Sequence, residues 1–190
     1  MNFTETGFPG LLIFTPPIFR DSRGYFFESF NAKFFENQGI KRGFLQDNQA
    51  LSTYGIVRGL HYQLAPHAQA KLVRVIQGEV LDVVVDLRVG SPTFAKQFSI
   101  VLSAENNKQL YVPRGFAHGY AVLSTTALFF YKCDSFYSKN SESGIAYNDP
   151  ALSIDWKIPP DKIILSEKDR LNKVLAEAEM NFVFNPENPF

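Results

Sequence analysis

Short apolar stretches, broken at regular intervals by glycine and proline, set the rhythm of this chain. Turn signals recur every eight to twelve residues or so, at Pro16-Pro17, Arg23-Gly24, Gly55, Gly78, Gly90-Ser-Pro92, Pro113-Arg-Gly115 and Asp149-Pro150. Between them lie segments rich in Val, Ile, Phe and Tyr, the signature of many short antiparallel strands closing into a sandwich or barrel. The clearest strand pair is 72–77 followed, after Gly78, by 79–88. Segments 98–102, 109–112, 119–123 and 127–133 continue the series. In 80–86 the even-numbered positions share one face, which places Asp82 and Asp86 on the same side. In the preceding strand Lys71, Val73 and Val75 share a face. That side is either solvent, or an interior where Asp82 or Asp86 needs a paired histidine or lysine.

Two helices are predicted. Asn31 caps a short one over 32–38, closed by Gly39. Ser166-Glu-Lys-Asp169 opens a second, with Leu171, Val174, Leu175 and Ala178 at helical spacing. Residues 182–190 read as irregular. No repeat, low-complexity tract or linker divides the chain, so residues 1–190 are expected to form one mainly β domain.

Composition narrows the function. Nineteen basic and nineteen acidic side chains cancel, leaving no overall positive charge to attract nucleic acid. No apolar run approaches the roughly 20 residues of a membrane helix, and the first residues lack the basic-then-apolar order of a signal peptide. A single cysteine, Cys133, excludes an intramolecular disulfide and fits a reducing cytoplasm. Nineteen phenylalanines fit a large core or subunit interface, or an aromatic floor for a planar base.

The three histidines carry the chemical information. His61 lies in Arg58-Gly-Leu-His61-Tyr-Gln63, ten residues before Lys71, and His118 in Pro113-Arg-Gly-Phe-Ala-His118-Gly119. A histidine takes a proton near neutral pH, and a lysine beside it can hold a developing oxyanion. That combination points to proton abstraction next to a carbonyl, with His61 as base unless it is merely structural. Tyr131 is either the partner acid or a core phenol. Pro113-x-Gly-x-x-His118 matches the second half of the cupin barrel motif. Metal-binding cupins add His-x-His and a glutamate, where this chain reads His61-Tyr-Gln63. Two histidines without a placed carboxylate make a poor transition-metal site, so no metal or other cofactor is expected. Cys133 has no histidine beside it in sequence, and no serine elbow, phosphate loop or dinucleotide fingerprint occurs.

Several motifs then fall in order: Phe19-x-Asp21-x-Arg23-Gly24-x-Phe26-x-Glu28, Gln46-x-Asn48, Gly55-x-x-Arg58-Gly-Leu-His61-x-Gln63, Gln69-Ala-Lys71, Pro113-x-Gly-Phe-Ala-His118-Gly119, Tyr131, Tyr137, Asn148-Asp-Pro150, Trp156 and Leu165-Ser-Glu-Lys-Asp169. By these the chain resembles the dTDP-4-dehydrorhamnose 3,5-epimerase family from about Phe8 to Asp169. The resemblance implies a cupin-type jelly-roll barrel, with a few short peripheral helices, that acts on a dTDP-4-keto-6-deoxy sugar without a cofactor. It implies His61 as base, Tyr131 as acid, Lys71 as enolate stabiliser and Asp169 as the partner of His61. It implies further that Arg58 and Arg23 meet the diphosphate and that Phe26 and Tyr137 flank the thymine. Gln46, Asn48 and Glu28 would add polar contacts, while His118 lines the pocket, oriented by Asp82. A homodimer is implied, with the Arg23–Glu28 segment reaching the neighbouring subunit. Ala50 and Tyr147 stand where the family often has serine and tryptophan. An epimerase of one centre only and a cupin that binds without catalysis are the alternatives.

Overall fold

The computed structural model describes residues 2–190. The strands are β1 (Asn2–Glu5), β2 (Leu12–Thr15), β3 (Phe19–Asp21), β4 (Gly24–Phe26), β5 (Gln46–Thr53), β6 (Val57–Gln63), β7 (Lys71–Gln77), β8 (Glu79–Asp86), β9 (Gln97–Ser103), β10 (Gln109–Val112), β11 (Phe116–Val122), β12 (Thr126–Cys133) and β13 (Glu142–Gly144). Two short α-helices accompany them, α1 (Ala32–Asn37) and α2 (Glu167–Arg170). One sheet runs β1-β2-β10-β7-β12-β5, a second runs β13-β6-β11-β8-β9, and β3-β4 form a separate ribbon. All pairings between these strands are antiparallel. This is the mainly β sandwich expected from the turn spacing, and it fits the jelly-roll barrel that the resemblance implies.

Three apolar layers hold the sheets. Val73, Val75, Val80, Val84, Leu110, Phe116, Val122 and Phe129 fill the space between them. Leu81, Val83 and Val85 face the other way, against Leu152, Trp156, Ile158 and Phe182 from the C-terminal third. Strand β8 is therefore covered on both faces, and it reads as a nearly unbroken apolar run for that reason. Phe14, Leu72 and Tyr111 pack outside the six-stranded sheet with Phe35 of α1. Much of the phenylalanine excess collects there, with Phe3, Phe30, Phe34 and Phe44 ringing Phe14 and Phe35.

Two sequence expectations need correction. The stretch 72–88 is not a paired hairpin, because β7 pairs with β10 and β12 while β8 pairs with β11 and β9. The chain leaves one sheet and enters the other at Gly78, whose φ is +78° and where a Cβ would come within 2.1 Å of the Thr126 carbonyl oxygen. The second helix is also much shorter than its apolar spacing predicts. It ends at Arg170, Leu171 is 83 % exposed, and only a 3-10 turn follows at Leu175–Glu177. After Arg170 the chain docks edge-on instead, with Lys173 in a parallel bridge to Ile145. The first helix matches its prediction, since the Asn31 side chain accepts from the Phe34 amide and Gly39 follows the cap at φ +95°.

Candidate active site

The segment Arg58-Gly-Leu-His61 contains a bulge that builds the site. On β6 and β11, His61 pairs with His118 but Arg58 pairs with Tyr120. Three steps along β6 thus match two along β11. In an even strand residues three apart point to opposite faces; one extra residue brings both to the same face. The bulge is possible because two glycines meet: a Cβ on Gly59 would lie 2.6 Å from the Gly119 Cα, and one on Gly119 2.6 Å from the Arg58 carbonyl oxygen. Arg58 and His61 consequently line one cavity of about 500 Å³, with Lys71, His118, Tyr131 and Asp169. A glycine inside a strand is the sequence signal for such a feature.

His61 and Asp169 are joined by a hydrogen bond between Nε2 and Oδ1. The Asp169 residue is 4 % exposed. Ser166, at the N-cap of α2, accepts from the Asp169 amide at 3.1 Å and donates to Oδ2 at 2.8 Å. Burial works to raise this carboxyl, but the His61 and Ser166 hydrogen bonds and the nearby Lys168 charge outweigh it and hold it below its ordinary range. An ionised carboxylate only accepts, so Nε2 carries the hydrogen and the neutral ring keeps its lone pair on Nδ1. This pairing unites residues 108 positions apart.

The second histidine has its own carboxylate, with His118 Nε2 lying 2.9 Å from Oδ2 of the fully buried Asp82. That settles the face of β8 left open by the sequence: Asp82 points inward and orients His118. Asp86 holds Arg88 through two hydrogen bonds of 2.9 and 2.8 Å.

Lys71 and Tyr131 approach from the other sheet, with the Lys71 Nζ 5.9 Å from the Tyr131 ring centre. Burial pushes the Lys71 ammonium below the usual lysine range, and negative charge at Asp82 and Glu142 opposes this only in part. Burial likewise pushes the Tyr131 phenol up to about 12. Behind Tyr131, Phe129 stacks on Tyr120 with ring centres 4.1 Å apart. Cys133 is buried, and burial raises its thiol to about 11, as befits an inert thiol.

A second cavity of about 280 Å³ adjoins the first and shares His61, Lys71 and Tyr131 with it. Gln46, Asn48 and Tyr137 line it. Gln46 and Asn48 project from β5, whose even-numbered residues 46–52 are the less exposed set. The Gln46 side chain donates to Asn48 at 3.0 Å and accepts from the Tyr137 amide at 3.1 Å. Arg58 Nε donates to Ser52 at 3.1 Å from the same strand.

Two residues to which the sequence reading gave no role close the rim. Lys168 of α2 forms an ion pair with Glu142 of β13, and Glu142 also accepts from the Tyr137 hydroxyl at 2.8 Å. Burial opposes ionisation of Glu142, but its Lys168 and Tyr137 hydrogen bonds lower it below the usual range. Only the adjacency of Lys168 to Asp169 hinted at it; Glu142 carries no motif of its own.

Arg23, Phe26 and Glu28 are not brought to this cavity in the single chain. Arg23 is paired with Asp21 on the β3–β4 ribbon, its side chain 88 % exposed. Phe26 is 67 % exposed, and Glu28 accepts a 3.4 Å hydrogen bond from Asn31. Among the described residues, no three His, Cys, Asp or Glu side chains are grouped as a metal would need. No described helix is long and apolar enough to cross a membrane.

Comparison with known proteins finds relatives that cover nearly all of the chain. Residues 5–177 match the sequence model of the family described as dTDP-4-dehydrorhamnose 3,5-epimerase. A protein of that name from Shigella flexneri is 51 % identical over 180 residues, covering 94 % of this chain and 98 % of its own. The crystal structure of dTDP-4-dehydrorhamnose 3,5-epimerase from Elizabethkingia anophelis superposes with a TM-score of 0.90 at 52 % identity, covering 93 % of this chain and 97 % of that one. A dTDP-6-deoxy-D-glucose-3,5-epimerase from Legionella pneumophila, solved in complex with dTDP-4-keto-L-rhamnose, gives 0.89 at 47 % identity and covers 93 % of each chain.

Proposed function

The chain belongs to the dTDP-4-dehydrorhamnose 3,5-epimerase family, and from that premise we propose how its residues divide the work. The enzyme is an isomerase that inverts carbons 3 and 5 of dTDP-4-dehydro-6-deoxy-D-glucose, giving dTDP-4-dehydro-L-rhamnose for dTDP-L-rhamnose synthesis. Both carbons are acidified by the ketone at carbon 4. His61 removes a proton from each in turn through the Nδ1 lone pair, and Asp169 balances the imidazolium that forms. The electron pair of the broken C–H bond moves onto the carbon-4 oxygen, where Lys71 stabilises the enolate. Tyr131 returns a proton to carbon from the opposite face, which inverts the centre. The His61 proton passes to solvent and the phenol is reprotonated, so the reaction balances without oxidant, reductant or other cofactor.

One observation carries this reading: the His61–Asp169 pair shares a single cavity with Lys71 and Tyr131. A phenol raised to about 12 is fully protonated at neutral pH and ready to donate. The adjoining cavity takes the nucleotide, with Gln46, Asn48 and Tyr137 as its contacts and Arg58 and His118 flanking the sugar and diphosphate.

The working unit is a homodimer of this one-domain chain, residues 1–190, in the cytoplasm. Exposed Phe19 and Phe26 on the ribbon, at 63 % and 67 %, favour a covered role for it. Arg23, Phe26 and Glu28 then complete the nucleotide site of the second copy.

The direct test is proton NMR of dTDP-4-keto-6-deoxyglucose with the protein in deuterium oxide, chelator present. Deuterium is expected at both carbon 3 and carbon 5. Exchange at one carbon would make it a single-centre epimerase. Binding without exchange would leave a nucleotide-sugar-binding protein.

A further inference from the structure

Asp169 sits on a helix of four residues, too short to fix its own position. The chain around it is pinned to the five-stranded sheet at two points instead. Ile164 forms a parallel bridge with Ile56, its amide donating to the Gly55 carbonyl at 2.8 Å and its carbonyl accepting from Val57 at 3.0 Å. Lys173 forms a parallel bridge with Ile145, and its carbonyl accepts from Ala146 at 2.8 Å. Asp169 hangs between these pins, on the approach to the second.

Beside that second pin, Asn172 lies over Gly144. A Cβ on Gly144 would stand 2.6 Å from Asn172 Oδ1 and 2.8 Å from both Cγ and Nδ2. Gly144 shows no left-handed φ, so a side chain there would meet the Asn172 side-chain end rather than backbone strain. The Asn172 Nδ2 is buried and has no hydrogen-bond partner among the described residues. Against Gly144 it supplies bulk, in the space a side chain at 144 would need. Gly144 is also the register partner of His61 on β6. One contact thus joins the exit of the Asp169 helix to the strand residue directly beside His61.

Building on the epimerase reading above, we infer that Asn172, seated on Gly144, is a positioning residue that sets the distance between Asp169 and His61. It touches neither substrate nor the reacting atoms; it acts through the carboxylate.

Gly144→Ala displaces the Asn172 side-chain end from its seat, and the shift this passes on to Asp169 lowers kcat by up to about 100-fold while KM stays near the parent value. Gly144→Ala with Asn172→Ala sets the new methyl in the space the amide leaves, which rebuilds the contact and recovers most of that loss. In an Asp169→Asn background, Gly144→Ala costs nothing further, because the group it displaces is already disabled. An activity-free readout accompanies these rates: the downfield imidazole proton of the His61–Asp169 hydrogen bond in the unliganded protein, assigned by its loss in Asp169→Asn. It should move upfield in Gly144→Ala and return in the double variant.

A Gly144→Ala protein with parental kcat and an unmoved imidazole proton overturns the inference. So does a double variant as slow as Gly144→Ala, or a full loss added on top of Asp169→Asn. If Gly144→Ala fails to fold, Asn172→Ala alone decides: an unmoved proton and unchanged kcat overturn the assignment, an upfield shift with lowered kcat supports it. Failure of the epimerase reading is separate, appearing as no exchange by the parent protein while the imidazole proton still responds.

Discussion

His61 and His118 are register partners on adjacent strands, and each is held by a different buried aspartate. The two imidazoles share one cavity but differ in exposure, their side chains being 30 % and 7 % accessible. The more open ring is the one free to reach a carbon-bound proton. His61→Asn should abolish deuterium exchange at both carbons while leaving dTDP binding in place. His118→Asn should slow exchange without abolishing it. Activity of His61→Asn within about tenfold of the parent would remove it as the base, since a general base contributes ~100- to 10,000-fold.

The alkaline side of the pH profile should belong to Lys71. Burial lowers its ammonium, which therefore loses its proton below the pH at which an ordinary lysine does. Tyr131, at about 12, keeps its proton throughout that range. Measured by isotope exchange, kcat should fall as pH rises through the lysine transition. Lys71→Arg should move that limb upward, because a guanidinium stays charged. Tyr131→Phe should keep the limb and lose inversion more than exchange. A limb that vanishes with Tyr131→Phe would reverse the two roles.

The bulge at Gly59 should be intolerant of any side chain. Its φ of +113° lies where other residues are strained, by about 1–3 kcal/mol, and a Cβ there collides with the Gly119 backbone. Gly59→Ala should lower the melting temperature and cost activity together, because Arg58 and His61 lose their common face. Unchanged activity at reduced stability would separate the bulge from the site.

Asp86 makes a separate statement about stability. Burial disfavours its charge, yet the Arg88, Ser91 and Thr93 hydrogen bonds win and leave the carboxyl below its ordinary range. A lowered carboxylate stabilises the fold above its unfolded value near 3.8, and that contribution disappears as pH falls through the folded value. Asp86→Asn strands a buried guanidinium, so it should cost ~3–5 kcal/mol at neutral pH. The gap from the parent should close below about pH 4. Denaturation curves across pH test this, and a constant gap would count against it.

The dimer reading makes a mixing prediction. Neither His61→Asn nor Arg23→Ala with Phe26→Ala should be active alone. Co-refolded, they should form mixed dimers with one complete site and regain part of the parental rate. No recovery, with mixed dimers demonstrated, would place Arg23 and Phe26 outside the site.

How much of this was legible in the sequence varies by element. Strand β8 was, down to which residues share a face, because burial on both sides leaves an apolar run with its two aspartates in phase. Strand β5 was not, because its inward residues Gln46, Asn48 and Ser52 are polar and serve a cavity rather than a core. The apolar residues after Asp169 mimicked a helix, although Leu175 and Ala178 pack individually against the outside of a sheet. Within the site, His61 and Lys71 were legible from local chemistry. Asp169 was reached only through family resemblance, since nothing at a separation of 108 residues marks it as a partner. The pairing of Glu142 with Lys168 went unseen because an ion pair between distant segments leaves no local pattern.

That same separation has a kinetic meaning. The His61–Asp169 bond closes a loop spanning more than half the chain, and contacts of such long sequence range form late, after the entropy of closing the loop has been met. An intermediate with both sheets assembled but residues 164–173 undocked would hold its core and bind nucleotide, yet lack a working base. Recovery of turnover during refolding therefore reports the docking of residues 164–173, while fluorescence or circular dichroism reports the sheets.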